Sequence, residues 1–358
     1  MTIALLSAAS SVHTVRWANA FAERGHHVHL ITQHVPAVGL DARVTMHWLP
    51  HLKGLGYLLN GWRVSRLLAK IKPDVVNAHY ATGYGALARS ARPYTLVINI
   101  WGSDVLDFPY KSWFHRRWVE GNLRSADRII STSHYMAKRT NRSYAGLPPI
   151  SVVPFGVDTA TFSPGDELPH SGPLVIGTVK SLAHVYGIDV LLRAFAALDA
   201  RLKDNARLHI VGDGPQNKEL AQLADTLGVA QQVDFVGAVP HARVPAELRS
   251  MDIFVALSRS ESFGVAVVEA SACGLPVVVS DVGGLPEVVQ HGTTGFIVPK
   301  DDPDSGAAAI TELIASAELR HRMGSAGRSF VEANYAWSHC VDRQMEVFQM
   351  VLEERKRA

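Results

Sequence analysis

Two cysteines in 358 residues, Cys273 and Cys340, are too few for a disulfide framework or a thiolate metal site. Each sits in an apolar helical pattern, so buried, reduced thiols in a cytosolic protein are expected. Long apolar runs are missing as well. Val75–Val76 and Val277–Val279 are strand-sized and far below the roughly 20 residues that span a bilayer, so no transmembrane helix is expected. The apolar stretch Met1–Ala9 has no basic residue before it and runs straight into an amphipathic helical pattern, which reads as a first strand and not as a signal peptide. Among 17 histidines there is no His-Glu-x-x-His pair, and neither His26-His27-Val28-His29 nor His321 has companions at ligand spacing, so no metal site is expected. No zinc signature or aromatic-rich ribonucleoprotein segment is found, and nucleic acid is not expected as a partner. No short repeat period is present, which argues against a solenoid.

What is present is an ordinary globular composition, 47% hydrophobic and 19% charged, in a chain longer than one comfortable core. Two domains follow as the starting expectation. The formal net charge of +2 conceals an asymmetry: residues 1–160 carry 18 Lys and Arg against 8 Asp and Glu, and the remainder carries 17 against 25. A basic first half suits an anionic partner such as a membrane surface. Solvated helix faces explain it equally well.

Short branched apolar runs alternate with helical patterns. Ile3–Ser7, His27–Thr32, Val44–Trp48, Asp74–His79, Tyr94–Ile100 and Arg128–Thr132 read as strands, with helices at Val12–Arg24 and Gly61–Lys70 between them. A break rich in Pro and Gly covers Pro154–Pro173. The alternation then restarts at Leu174–Val179, Arg207–Val211, Val233–Val236, Ile253–Ala256, Pro276–Ser280 and Gly295–Val298. Parallel strands with crossover helices are implied twice, giving an α/β fold of two doubly wound, Rossmann-like domains. The expected bounds are 1–165, 166–336 and a closing helix over 337–358 that packs back toward the first domain.

The most informative window is Glu261-Ser262-Phe263-Gly264-Val265-Ala266-Val267-Val268-Glu269, closed by Gly274-Leu275-Pro276. A small polar turn leads to Gly264, which opens an apolar helix whose free backbone N–H groups make a site for a diphosphate. Glu261 precedes that helix and Glu269 lies inside it, so the two carboxylates can touch different parts of one ligand, a sugar ring and a ribose. The competing account makes Glu269 a cap or an ion-pair partner within a buried helix. Ile210-Val211-Gly212-Asp213-Gly214-Pro215 is a strand followed by a Gly-bearing turn. It lacks the third glycine of the dinucleotide fingerprint, which counts against hydride transfer. Val236-Gly237-Ala238-Val239-Pro240 ends a strand where a nucleobase can meet backbone groups, and an ordinary turn explains it as well. Asp302-Pro303-Asp304 reads as a loop and helix cap.

Taken together, these residues resemble the retaining glycosyltransferases of family 4, which have the GT-B fold of two Rossmann-like domains with a cleft between them. The likeness is strongest from Leu174 to Pro299 and is carried by the paired Glu261 and Glu269. Ser280-Asp281-Val282-Gly283-Gly284-Leu285-Pro286-Glu287, Gly292-Thr293-Thr294-Gly295-Phe296 and Pro154-Phe155-Gly156-Val157-Asp158 also match. The resemblance implies a C-terminal donor half in which Glu269 binds the donor ribose. Glu261 and the Phe263, Gly264 and Val265 backbone would engage the transferred sugar and diphosphate, with Gly212, Gly214 and Gly237 lining the same site. It also implies a nucleotide-sugar substrate, UDP-sugar favoured and GDP-sugar next, with no cofactor and no metal. Closure of the domains about the linker is expected to exclude water.

The chain departs from the family pattern at several places. Aligned on Gly187, the family's usual lysine position holds Tyr186 and its usual arginine position Ser181. Lys180 is the nearest cation and is assigned to the departing diphosphate, ahead of His184. After the first strand Ala8-Ala9-Ser10-Ser11 replaces paired glycines, which makes Ser10, Ser11 and His13 acceptor-side candidates. Trp101-Gly102-Ser103-Asp104 replaces His-Gly-x-Asp, and Trp101 is expected to offer an aromatic face to an acceptor or donor ring. Asp104 is expected to be an acceptor-side or structural carboxylate, and His79 an acceptor-side group or a hydrogen-bonded structural one.

The function so implied is transfer of a hexose-type sugar to a hydroxyl acceptor in lipopolysaccharide, capsule or exopolysaccharide biosynthesis. The chain is expected in the cytoplasm, peripheral on the inner face of an anionic membrane, with a lipid-linked or saccharide acceptor. Three alternatives stay open: a small soluble acceptor, such as an antibiotic or thiol precursor, a sugar-nucleotide epimerase, and a non-catalytic partner subunit.

Overall fold

The computed structural model describes residues 1–36, 39–165 and 172–357. They form two compact units, one of residues 1–154 and 340–358 and one of Phe155–His339.

In the first unit seven parallel strands, β1 (Thr2–Leu6), β2 (His27–Thr32), β3 (Thr45–Trp48), β4 (Val75–His79), β5 (Thr95–Ile100), β6 (Arg128–Ser131) and β7 (Ile150–Val152), lie in the order β3-β2-β1-β4-β5-β6-β7. Central strands of a parallel sheet are covered on both faces and so carry continuous apolar runs. Ile3, Ala4, Leu5 and Leu6 accordingly have no exposed surface, and every residue of β5 is buried. The edge strand β3, Thr-Met-His-Trp, is half-exposed instead. Helix Val12–Glu23 buries Val15, Trp17, Ala18 and Phe21, and helix Gly61–Ile71 buries Val64 and Leu68, one turn apart.

Helix Trp337–Arg357 gives the first unit its last element. Cys340, Val341, Gln344, Phe348 and Val351 are buried, and the Phe348 ring meets Phe21 at 5.7 Å between centroids. Both cysteines are buried as expected. Burial pushes the Cys273 thiol up to about 12 and the Cys340 thiol up to about 11.

The second unit has six parallel strands, β8 (Leu174–Val179), β9 (Ala206–Val211), β10 (Val233–Gly237), β11 (Ile253–Ala256), β12 (Val277–Ser280) and β13 (Gly295–Val298), in the order β10-β9-β8-β11-β12-β13. Ile176, Leu191, Phe195, Leu208, Val255, Val278 and Ile310 fill its core. In each sheet the strand order reverses once, at β1/β4 and at β8/β11. Open α/β sheets bind ligands outside the carboxyl ends of the strands at such a reversal.

Two expectations need correction. The boundary falls after Pro154 and not after residue 165, because Val157 pairs with Ala336 and exchanges backbone hydrogen bonds with Tyr335 and Trp337 of the second unit, while the Phe155 ring lies 6.4 Å from that of Phe263. Residues 166–171 of the expected linker lie outside the described residues. The strand β7 was not anticipated, since Ile150-Ser151-Val152 is a three-residue edge without the alternation that marks a longer strand. Asp302 is the expected cap: its carboxylate accepts from the Ser305 backbone N–H at 3.0 Å and from the Ser305 hydroxyl at 2.6 Å.

Candidate functional site

The loops that leave β8, β9 and β10 are knitted together by their backbones. Lys180 N–H donates to the Val211 carbonyl, Leu182 N–H to that of Asp213, and Gly212 N–H to that of Gly237. Gly212 has φ +139°, and a Cβ there would lie 1.9 Å from the Lys180 carbonyl oxygen, so the close approach of the two loops requires glycine. Gly214 continues the same turn, with its N–H donating to Asp213 Oδ1 at 2.7 Å. This frame fixes the backbone from which Lys180 extends.

Across the β8/β11 reversal, Lys180 Nζ donates to Glu261 Oε2 at 2.5 Å. The two residues are 81 positions apart, and their side chains are only 9% and 13% exposed. The ammonium also lies 5.0 Å from the Tyr186 ring centroid. Tyr186 thus occupies the expected lysine position as a wall for the displaced cation.

Helix Val265–Ala272 begins at Gly264, whose φ of +105° L side chains rarely adopt, and a Cβ there would lie 2.8 Å from Leu285 Cδ2. Its leading N–H groups, beginning at Val265, have no acceptor within the helix, as at any helix start. Phe263 is 2% exposed and stacks edge-on to Tyr335 at 5.5 Å, so its ring is core and only its backbone is available to a ligand. Glu269 is 5% exposed and bonds His241 Nε2 through Oε1 at 3.1 Å.

Sequence reasoning missed His241 and the grip on Arg259. The guanidinium of Arg259 is bidentate to Asp189 at 2.8 and 2.7 Å and reaches Asp301 at 2.6 Å. His241 directly follows the flagged Val236–Pro240 turn, and extending that window by one residue would have found it. Arg259 and Asp189 are 70 positions apart and carry no local signal.

The first unit gathers a different set at its own reversal. His79, at the end of β4, has no exposed surface, and its Nδ1 is 3.0 Å from Ser7 Oγ, which in turn is 2.7 Å from Thr14 Oγ1. Burial, with a smaller contribution from the charge on His13, pushes the His79 imidazole down to about 3. Trp101 is 6% exposed, with ring centroids 4.4 Å from His79, 5.1 Å from Tyr80 and 5.9 Å from His13. Trp101 thus packs among three protein rings and is largely buried. Asp104 is 1% exposed, and its oxygens accept from the backbone N–H groups of Ala81 at 2.8 Å, Trp101 at 3.1 Å and Gly102 at 2.9 Å. Burial raises its pKa, and those donors partly offset the rise. Ser10 is exposed at the turn after β1, Ser11 opens the helix that follows, and His13 is half-buried in its first turn. Among the described residues no group of three or more His, Cys, Asp or Glu is placed to hold a metal ion.

Residues 161–330 match the family described as glycosyl transferases group 1, and residues 2–133 match the glycosyl transferase 4-like family. The chain is 32% identical over 273 residues to a GDP-mannose-dependent alpha-(1-6)-phosphatidylinositol monomannoside mannosyltransferase of Mycolicibacterium smegmatis, covering 71% of this chain and 69% of the relative. Among solved structures it is similar to sucrose-phosphate synthase of Thermosynechococcus elongatus, with TM-score 0.86, 21% identity and coverage of 99% and 100% of the two chains. It is also similar to Anabaena HepE in complex with UDP, with TM-score 0.83, 19% identity and coverage of 98% and 99%. The paired sheets, their order and these likenesses make the fold GT-B, and the chain belongs to glycosyltransferase family 4.

Proposed function

We propose that this glycosyltransferase moves a hexose-type sugar from a nucleoside diphosphate sugar to a hydroxyl acceptor with retention of anomeric configuration. The reading places the donor in the second unit and the acceptor in the first. The observation that carries it is the Lys180–Glu261 pair at the β8/β11 reversal, a cation and a carboxylate beside the glycine-opened start of helix Val265–Ala272. In this scheme the helix N–H groups and Lys180 hold the diphosphate, Glu261 turns to the hydroxyls of the sugar, and Glu269 accepts from the ribose. Asp104 is a positioning residue, its carboxylate already committed to three backbone donors.

The bond from the anomeric carbon to the diphosphate oxygen breaks as the acceptor oxygen bonds to the same face. The acceptor proton passes to an oxygen of the departing diphosphate. No protein nucleophile and no cofactor enter this scheme. Negative charge grows on the diphosphate as it leaves, and a fixed cation with helix-end dipoles stabilises it without reorganisation. A glycosidase would instead place two carboxylates on either side of the bond, as acid and nucleophile.

UDP-sugar is the favoured donor and GDP-sugar the second. The HepE structure carries UDP, and the mycobacterial relative is named for GDP-mannose. The proposed pathway class is lipopolysaccharide, capsule or exopolysaccharide biosynthesis, with the chain attached peripherally to an anionic membrane face. The charge asymmetry supports that attachment, and no helix among the described residues is long and apolar enough to cross a membrane. A thermal-shift series against nucleoside diphosphates and their sugars tests the donor, since a ligand of the native state raises the melting temperature. Selective stabilisation by one base supports the reading, and no shift from any nucleotide in folded protein overturns it. The anomeric configuration of the product, read by NMR, decides retention.

A further inference from the structure

The first unit leaves an unusual number of large apolar side chains in water, and they are not scattered. Of thirteen exposed large apolar residues among the described residues, twelve belong to this unit, and nine fall in two short segments: Trp48, Leu52, Leu55, Leu58, Leu59 and Trp62 in one, Tyr110, Trp113 and Phe114 in the other. Single exposed apolar residues need no explanation, but contiguous patches on a soluble protein mark an interaction site. The two segments meet in space. Tyr57 and Leu58 of the first, and Phe108, Phe114 and Trp118 of the second, line one pocket of about 490 Å³.

The pocket is built for hydrocarbon. It has no Asp, Glu, Lys or Arg in its lining, and three of its polar side chains, His34, Tyr84 and His115, are already engaged. The Tyr84 hydroxyl is 2.7 Å from His34 Nδ1 and accepts from the Gln33 N–H at 3.0 Å, while His115 Nδ1 is 2.6 Å from Ser112 Oγ. A sugar phosphate would find no counter-charge there. The flanking stretches of chain supply charge instead. Residues 42–73 contain no Asp or Glu. Helix Gly61–Ile71 puts Arg63, Arg66 and Lys70 beside Trp48 and Trp62 along a second groove of about 390 Å³, with the guanidinium carbons of Arg63 and Arg66 at 4.7 and 5.0 Å from the Trp62 ring centroid. In the other segment Lys111 lies over Phe108 and Arg117 over Trp113. Arg117 also reaches Glu120 at 3.3 Å, but Arg63, Arg66 and Lys70 stand in a stretch without a carboxylate. Exposed tryptophan beside basic residues is the composition of a bilayer interface, where rings sit at headgroup level and cations meet lipid phosphates. A protein partner would be met as well by a mixed-charge rim. The run of cations without a carboxylate selects an anionic lipid surface.

We propose that residues 48–70 and 108–118 form a docking face for an anionic bilayer, and that the pocket between them receives a hydrocarbon chain of an amphiphilic acceptor. The proposal rests on the membrane attachment given above and locates it.

The test is sedimentation of the full chain with vesicles of phosphatidylcholine alone, or of phosphatidylcholine mixed with phosphatidylglycerol, the latter also with brominated acyl chains. The wild type is expected to pellet with phosphatidylglycerol and to have its tryptophan fluorescence quenched by the brominated lipid. Arg63→Glu with Arg66→Glu should lower vesicle affinity at least about tenfold, and Trp62→Phe with Trp113→Phe should lower the quenching, with Trp48 and Trp118 of the same face still reporting. Arg201→Glu with Arg322→Glu, two exposed charges of the second unit, should change affinity far less. Gly54 lines the pocket and a Cβ there meets nothing within 4 Å, so Gly54→Trp adds a bulky side chain at the pocket wall without a clash and should reduce uptake of a fluorescent long-chain alcohol while leaving vesicle binding in place.

If the wild type ignores phosphatidylglycerol vesicles, both the attachment and this face are overturned. If it binds but the two charge-reversed pairs weaken it equally, the attachment stands and this face does not. If Gly54→Trp takes up the alcohol like the wild type, the pocket assignment fails. Concentration-dependent dimerisation lost in the Trp62/Trp113 variant, without vesicle binding, would give the face to a second copy of the chain. The nucleoside diphosphate shift, measured on every variant, reports folding and the donor reading separately.

Discussion

Lys180 and Glu261 are each half of a site that neither makes alone. Lys180→Ala removes the cation and leaves Glu261 nearly buried without its partner. If the ammonium stabilises the departing diphosphate, the loss falls on the transition state and not on ground-state binding. We expect kcat to fall by about 10²-fold or more with KM changed far less, read from initial rates with a saturating acceptor. Unchanged kinetics would take Lys180 out of the chemistry. At the same scale, His79 ties stability to pH. Its folded pKa, about 3, lies below the ordinary 6.5, so the folded chain binds its proton less readily than the unfolded chain. Its contribution is fully present above pH 6.5 and is lost as pH falls toward 3. Between neutral pH and about pH 5 this should cost about 2 kcal/mol. Urea midpoints of the wild type and His79→Gln should converge over that range as the wild type loses the difference, and parallel midpoints would contradict it.

The sequence could single out Glu261, Gly264 and Glu269 as candidates because they lie in one continuous window. Lys180 could be named by its offset from Gly187. Their partners could not be read. His241 meets Glu269 from another loop, and Asp189 meets Arg259 from a helix start 70 positions away, pairings set by strand order and not by spacing. The packing of Trp101 was hidden for a related reason: an aromatic letter beside a functional loop reads the same whether it is open or packed, and the rings of His79, Tyr80 and His13 reach it from other parts of the chain.

At the scale of elements, strands buried on both faces announce themselves, and twelve of thirteen were anticipated within a residue or so. What the pattern hides is polar chemistry inside the core. Asn77 of β4, Asn99 of β5 and Gln344 of helix Trp337–Arg357 form a closed ring of amides: Asn77 Nδ2 to Asn99 Oδ1 at 2.7 Å, Asn99 Nδ2 to Gln344 Oε1 at 3.2 Å, and Gln344 Nε2 to Asn77 Oδ1 at 3.2 Å. All three residues are at most 2% exposed. Each donor is matched to an acceptor, so the ring fixes the rotation of the helix against the sheet as apolar contacts alone would not. Gln344→Leu keeps the volume and leaves an amide donor and an amide acceptor buried without partners. We expect about 3 kcal/mol of lost stability, measured by chemical denaturation. A loss below about 1 kcal/mol would mean that water or a rotated asparagine closes the gap.

At the scale of the whole chain, the two units differ in how they are cut from the sequence. The second is continuous from Phe155 to His339, whereas the first is completed only by residues 340–358. Cys340, Val341, Val347, Phe348 and Val351 bury their side chains in that last helix, and Arg128 holds Glu354 by two bonds of 2.7 Å. Ending the chain after His339 therefore strips a covering layer from the β4/β5 region and opens the Asn77–Asn99 ring, while every strand of the second sheet keeps its neighbours. Burying each of those apolar side chains is worth about 1.5–3 kcal/mol, and their combined loss, with that of the amide ring, is comparable to the whole of the roughly 5–15 kcal/mol by which domains are usually stable. The truncated chain should show two melting transitions in place of the wild-type profile, the first unit lost near room temperature. The nucleoside diphosphate shift should persist in the second transition alone. A shift that disappears with the first unit would place essential donor contacts there and would reverse the assignment of donor and acceptor to the two halves.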